Sequence, residues 1–292
     1  MGGIGIIQNR KAGKKRAPFR GTIGEKLGYV IGDPGSLHET SRVEEIAGVA
    51  QTFLEQDIDI LGIGGGDGSN HYVLDALIKA YGDKPLPRVA FLCGGTHNAH
   101  AMSVGVKGIP AILLQNIVRK YHTGARFDLK HRVLLRIDDG LRVHHGFSMA
   151  TGFGYRFYEE LVQQRTDSAL KVAAQLALWI GNLLTGGSRL RKIFRLEPTR
   201  VVIDGEALAW DETNGVSCSG MEMLGLGLVP FPRASETAKT FHLNVVDSHT
   251  DIATEVQVTM EQPISYVLDG ELYKGSEKIR IQTGPRIELI VG

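Results

Sequence analysis

The sequence predicts an α/β first half built on a parallel sheet and an antiparallel β-sandwich second half. Three observations carry this. Over the first ~125 residues, short apolar runs alternate with helical patterns, the signature of a parallel sheet. Two of those runs end in glycine loops, Gly64-Gly65-Gly66-Asp67-Gly68-Ser69 and Gly94-Gly95-Thr96-His97-Asn98. Beyond Phe127-Asp128, short strands separated by Asp-Gly turns replace the alternation.

Residues 4–8 form the first apolar strand, and Asn9-Arg10-Lys11-Ala12-Gly13-Lys14-Lys15-Arg16 a basic loop after it. Residues 17–36, rich in Gly and Pro, read as irregular. Thr40 or Ser41 is placed to cap a helix, with Glu44 completing a capping box; Val43, Ile46, Ala47, Ala50 and Leu54 share its face. A strand ending at Ile63 leads into the first glycine loop, and a helix follows to Tyr81. Pro85-Leu86-Pro87 breaks the chain. Arg88 to Cys93 is a compact strand before the second glycine loop, and residues 111–121 read as a helix. In the second half, Arg132 to Ile137 pairs with Leu141 to Val143 across Asp138-Asp139-Gly140. A helical stretch runs from Arg156 to Leu184. Strands are expected around 199–203, 207–210, 240–246, 253–260, 264–268, 278–282 and 286–291, with turns at Asp204-Gly205 and Asp269-Gly270.

The 292 residues suit one large or two modest domains, and 42% hydrophobic with 22% charged residues is an ordinary soluble composition. A net charge of +1 gives no overall field for nucleic acid. Cys93 and Cys218 are too few for a disulfide framework or a zinc site and fit a reducing compartment. No segment reaches the ~18 apolar residues of a spanning helix. The start lacks a basic n-region and reads as a strand rather than a signal peptide. Ile6 stands where a myristoylation start needs Ser or Thr.

A strand, a glycine loop and a helix in that order place backbone N–H groups and the positive end of a helix dipole where an anion docks. Side-chain-free residues there allow close approach and positive φ. The first loop is not a Walker loop, since no Gly-Lys-Ser/Thr follows, nor a dinucleotide fingerprint, since Asp67 takes the third glycine position. A phosphate cradle gains nothing from a carboxylate, so Asp67 points to a metal, a hydroxyl to deprotonate or a turn to hold. In the second loop Thr96 and Asn98 offer polar groups that either meet a ligand or cap the next helix. Asn9, Arg10 and Lys11 add an amide and two cations after the first strand, so three strand-end loops could converge on one polyphosphate. Asp269-Gly270-Glu271 is a turn with two carboxylates, and Asp204-Gly205-Glu206 nearly copies it. The ten histidines form no metal pattern, and no Gly-x-Ser-x-Gly elbow is present. The apolar stretch Leu170 to Ile180, followed by the cationic Arg189 to Arg195, reads either as a core helix with its exit loop or as a lipid-facing lid.

Taken together these motifs resemble the diacylglycerol kinase-like superfamily, which includes sphingosine, ceramide and bacterial lipid kinases and, more distantly, NAD kinases. Asn9 to Gly13 is similar to its Asn-Pro-x-Ser-Gly start, Gly65 to Ser69 to Gly-Gly-Asp-Gly-Thr, and Gly95 to Asn98 to Gly-Thr-Gly-Asn. Phe127-Asp128-Leu129 resembles the Ile-Asp-Leu that opens the second domain, and Thr151 to Gly154 the later Ile-Gly-Phe-Asp. Pro230 to Ala234 resembles Pro-x-Ala, and Asp269-Gly270-Glu271 the late Asp-Gly-Glu. The resemblance implies an α/β nucleotide-binding domain over 1–127 and a β-sandwich lipid domain over 128–292, the last strand being free to return to the first domain. It implies ATP in the cleft, Mg2+, and γ-phosphoryl transfer to a lipid hydroxyl of a diacylglycerol or sphingoid alcohol. Asn9, Arg10, Lys11, Gly65, Gly66, Asp67, Gly68, Ser69, Gly95, Thr96 and Asn98 would hold the nucleotide. Asp269 would be the base and Glu271 its metal-linked or orienting partner, with Asp67 the rival for base or metal ligand. No metal ligand set is identified. The implied setting is the cytoplasm and the inner membrane surface, with a lipid substrate, no nucleic acid, and a homodimer left open. The sequence departs from the family at His71 and Tyr72 (Asn-Glu in the family), at His97 and Ala99 (Gly and Asp), at Arg10 (Pro), and around Ala238-Lys239, where an acidic turn is missing. Those departures keep a nucleotide-binding pseudokinase in play as the alternative; an NAD kinase is a third reading, against which the missing Asn-Glu pair counts, since that family uses the pair on the nucleoside.

Overall fold

The computed structural model describes residues 2–12, 22–33, 36–95, 98–163, 193–224, 229–237, 239–245 and 249–291. The chain divides into two compact units. The first comprises Met1–Arg132, Met223–Val229 and Pro285–Gly292, and the second Val133–Glu222 and Pro230–Gly284.

In the first unit β1 (Ile4–Asn9) lies between two parallel neighbours, β2 (Leu37–Thr40) and β3 (Ile60–Gly64), reached through α1 (Ile23–Ile31) and α2 (Glu44–Gln56). After α3 (Asp67–Tyr81), β4 (Arg88–Phe91) adds in parallel beside β3, with Ile60 opposite Arg88. The short α4 (Ala99–Ser103) and α5 (Pro110–Thr123) follow. Both faces of the sheet are covered, so its strands read as nearly continuous apolar runs. Ile4, Ile6, Ile60, Ala90 and Leu92 pack with Leu27 of α1 and Leu114 and Ile117 of α5. On the other face Gly5 makes room for Phe53 of α2, since a Cβ there would stand 2.8 Å from its ring.

Two expectations change here. Residues 17–36 are not irregular throughout, because α1 forms inside them. Thr22 accepts a hydrogen bond from the Glu25 amide at 3.1 Å, and the Glu25 carboxylate accepts from the Thr22 amide at 2.8 Å, a complete capping box. Gly32, at φ 71°, ends the helix in the left-handed region. The box expected at Ser41 and Glu44 does not form, because α2 begins at Glu44 itself. Glu45 reaches back instead and accepts from the Ser41 amide at 2.8 Å.

The second unit holds two antiparallel sheets. β5 (Leu129–Asp138), which starts in the first unit, pairs with β6 (Val143–Gly146), Asp138 facing Val143. β7 (Ser148–Thr151) leads into α6 (Gly152–Gln163), so the long helix expected from Arg156 begins four residues earlier. Its expected continuation to Leu184, including Leu170 to Ile180, lies outside the described residues. β8 (Glu197–Ile203), β9 (Glu206–Ala207), β10 (Glu212–Thr213), β11 (Val216–Ser219), β12 (Phe241–Val245), β13 (His249–Ala253), β14 (Glu255–Met260), β15 (Ser265–Leu268) and β16 (Glu271–Lys274) follow. One sheet runs β13-β12-β11-β7-β15-β16; the other contains β10-β8-β14 and the first part of β17 (Lys278–Ile290). Met149, Cys218, Phe241, Leu243 and Tyr266 from one sheet meet Val201, Val256, Val258, Ile279 and Ile281 from the other in a single core. Strands expected at 278–282 and 286–291 are one continuous strand. Its first part pairs with β14 in the second unit, and Leu289 pairs in parallel with Val89 in the first.

Candidate functional site

Both glycine loops leave the C-terminal ends of adjacent parallel strands, β3 and β4, the position at which open α/β sheets bind ligands. Gly66 is the N-cap of α3, and no side chain caps that terminus. The fifteen-residue helix therefore presents its first-turn amides and its dipole with no capping side chain, its one first-turn acid being Asp67.

The glycines are needed for close approach, not for special backbone angles: none of Gly64, Gly65, Gly66, Gly68, Gly94 and Gly95 has positive φ. The left-handed residues here are Cys93 (φ 51°) and Asn98 (φ 49°). The loops pack backbone against backbone. A Cβ on Gly95 would stand 2.4 Å from the Gly66 Cα, and one on Gly94 3.0 Å from the Gly65 nitrogen.

Side chains fix this interlock. The Asn98 Oδ1 accepts from the Gly95 amide at 2.8 Å, and its Nδ2 donates to the Gly95 carbonyl at 3.1 Å, closing the second loop on itself. Asn9 joins the first strand's loop to the first glycine loop, its Nδ2 donating to the Ser69 hydroxyl at 2.9 Å while its Oδ1 accepts from the Lys11 amide at 2.8 Å. Asp67 joins the two glycine loops: Oδ2 accepts from the Ala99 amide and Oδ1 from the His100 amide, each at 3.0 Å. Nine of the sequence-derived residues are thus brought together in one unit: Asn9, Lys11, Gly65, Gly66, Asp67, Gly68, Ser69, Gly95 and Asn98. Arg10 instead turns to Glu39, at 3.4 Å, and Thr96 lies outside the described residues. Burial and then the Asp67 carboxylate push the Cys93 thiol up to about 11. Sequence reasoning missed His100, whose only signal was its place two residues after Asn98. It is buried, with Nδ1 3.6 Å from the Asp67 Oδ1.

A hollow of about 390 Å³ lies at the other end of β4, bordered by Arg88, Lys120, Tyr121 and Phe127. Arg88 and Lys120 already face Glu288 at 3.4 Å and Asp128 at 3.9 Å, so it is not a bare cationic site.

In the second unit Asp269 and Gly270 join β15 to β16 with φ 50° and 89°, the double left-handed signature of a type I′ turn. Asp269 is buried, and both its oxygens accept from the Phe147 amide, at 3.1 and 2.9 Å, with Oδ1 also accepting from Ser148 at 2.9 Å. Glu271, two residues on, is half-buried. The near copy has the same build: Asp204 and Gly205 have φ 47° and 92°, and Asp204 accepts from the Thr254 and Glu255 amides at 3.1 and 2.8 Å. Among the described residues no group of three or more His, Cys, Asp or Glu is placed to hold a metal.

Residues 4–127 match the diacylglycerol kinase catalytic domain. No curated protein matches the chain. The diacylglycerol kinase-type fold extends over the whole of it. A provisionally named diacylglycerol kinase from Bacillus anthracis str. Sterne is 18% identical, with a TM-score of 0.70 over 99% of this chain and 95% of that one. A second diacylglycerol kinase structure from the same strain is 16% identical, with a TM-score of 0.66 over 99% and 96%. An NAD kinase from Archaeoglobus fulgidus in complex with ATP is 11% identical, with a TM-score of 0.51 over 98% and 93%. The diacylglycerol kinase-type α/β domain followed by an antiparallel domain is the architecture the sequence predicts.

Proposed function

We propose that this protein is an ATP-dependent lipid kinase that transfers the γ-phosphoryl group to a lipid hydroxyl such as that of a diacylglycerol or a sphingoid alcohol. The observation that carries the reading is the pair of interlocked glycine loops at the ends of β3 and β4, inside the segment that matches the diacylglycerol kinase catalytic domain. ATP is the nucleotide that a related fold binds, and an N-terminus of α3 without a side-chain cap suits its phosphates. On this reading the enzyme works from the cytoplasm at a membrane surface. Among the described residues no helix is long and apolar enough to cross a membrane.

On this reading Asp269, oriented by the Phe147 and Ser148 amides, takes the proton of the acceptor hydroxyl as its oxygen bonds to the γ-phosphorus and the bond to the β-phosphate oxygen breaks to release ADP, with Glu271 its orienting partner. Mg2+ enters, on this reading, with the nucleotide, on its phosphates.

The expected result is thermal stabilisation by Mg-ATP but not by NAD, and label transfer from γ-labelled ATP into a mixed lipid extract. Stabilisation by NAD in place of ATP would point to an NAD kinase. One observation favours a second reading: His71, buried in α3, and Tyr72 stand where the family carries Asn and Glu. Mg-ATP binding with no transfer to any lipid class would make the protein a nucleotide-binding pseudokinase.

A further inference from the structure

We infer that Asp67 is a positioning residue that clamps the second glycine loop onto the first, backed by His100, and that it neither takes a proton nor ligates a metal. The inference rests on the glycine loops being the phosphate site.

Asp67 is the first residue of α3, yet it caps a different helix. The amides it accepts, Ala99 and His100, are the first two of α4, 32 and 33 residues along the chain. Asn98, the N-cap of α4, makes no capping bond of its own; its side chain is occupied with Gly95. Without Asp67 two helix-start amides lose their acceptor at a place where nothing in α4 replaces it. The imidazole of His100 is 5% exposed, with Nδ1 3.6 Å from Asp67 and 3.4 Å from Asn70 Nδ2. It stands against one side of the carboxylate. The loops also touch directly at Gly66 and Gly95, so their spacing is set by contact at the glycines and by tension through Asp67. A phosphate site of two loops depends on that spacing, because amides misplaced by about 1 Å lose most of their worth. A family acid that looks catalytic in sequence thus has a complete structural task.

Two measurements test this. Hydrogen exchange of the unliganded protein reads the clamp alone, and Mg-ATP affinity with phosphoryl transfer reads its consequence. In Asp67→Ala the amides of 99 and 100 should exchange at least about tenfold faster, as for opening that is easier by RT ln 10. Mg-ATP affinity should fall by about tenfold or more, with kcat at saturating ATP kept within a few-fold, the pattern of lost binding rather than lost chemistry. Unchanged exchange and affinity with a collapsed kcat would overturn the inference and return Asp67 to base or metal ligand. If Asp67→Ala does not fold, Asp67→Asn retains one acceptor oxygen and should protect one amide with intermediate affinity; full affinity without turnover would again overturn it. His100→Gln keeps the backbone bond and removes the ring. It should raise the ATP KM a few-fold at constant kcat, and an unchanged KM would remove His100 from the clamp. If the wild type binds no Mg-ATP, the nucleotide reading fails, while the exchange result still decides the clamp.

Discussion

At the residue scale the missing atoms matter most. Gly95 and Gly66 meet with backbone on both sides, so neither neighbour can swing away from an added methyl group. Gly95→Ala, whose Cβ would stand 2.4 Å from the Gly66 Cα, is expected to destabilise by about 1–3 kcal/mol in urea unfolding. Gly66→Ala, at 3.2 Å, should cost less. Equal stability of Gly95→Ala and wild type would contradict the interlock. Cys93 gives a pH test of the same place. Its thiol is raised to about 11, so the reactive thiolate is scarce at neutral pH. Alkylation of the folded protein at Cys93 should be slow at pH 8 and still climb towards pH 11, whereas the rate at an ordinary free thiol, with a pKa of about 8.5, is already half of its maximum near that value. Much of the site was legible at this scale. Glycines, Asn9 and Asn98 could be read from motif spacing alone. The use of Asp67 could not, because its partners are backbone amides more than thirty residues away, and backbone amides leave no mark in a sequence.

At the scale of elements, the strands and α3 followed from apolar runs, while α1 did not. Gly24 and Gly28 depress helix propensity, yet α1 forms and buries Gly24 and Leu27 against the sheet. Tertiary packing overrode propensity, and the Thr22–Glu25 box was the signal to weigh. Thr22→Ala should lower stability by about 1 kcal/mol, and a neutral result would place the start of α1 elsewhere. The turns were legible because Asp-Gly marks a type I′ hairpin; that both acids also hold a neighbouring strand was not. Along β14 and β17, Glu255 pairs with Arg280 at 2.6 Å, and hydrogen bonds from Arg280 and Gln257 hold its carboxyl down at about 2. A depressed folded value means the stabilisation is present above pH 4.5 and is lost as pH falls towards 2. The pair faces solvent, so the effect is small. Arg280→Ala should move the Glu255 titration back towards 4.5 by NMR; a titration still near 2 would show that the glutamine amides suffice.

At the scale of the whole molecule the chain builds its first unit from three separate stretches. Ile287, Leu289 and Ile290 are buried there, 4% exposed or less. Deleting residues 285–292 removes all three and the parallel neighbour of β4. At about 1.5–3 kcal/mol per buried side chain, it should unfold the first unit at temperatures where the full chain is intact. A truncated protein with an unchanged melting curve would show that these residues are dispensable. A break in the sequence pattern cannot announce such a return, since 286–291 reads as one more strand.

That return has a consequence for how the protein comes into being. Synthesis runs from the N-terminus, yet the unit that begins first is completed by residues 285–292, which are made only after the whole of the second unit. A nascent chain stalled before residue 285 is expected to remain protease-sensitive in its first 132 residues, however long it waits. Early protection would show that the sheet closes without its final strand. If it does not, any nucleotide-holding capacity arrives only once residues 285–292 have been made, and products truncated before residue 285 carry none.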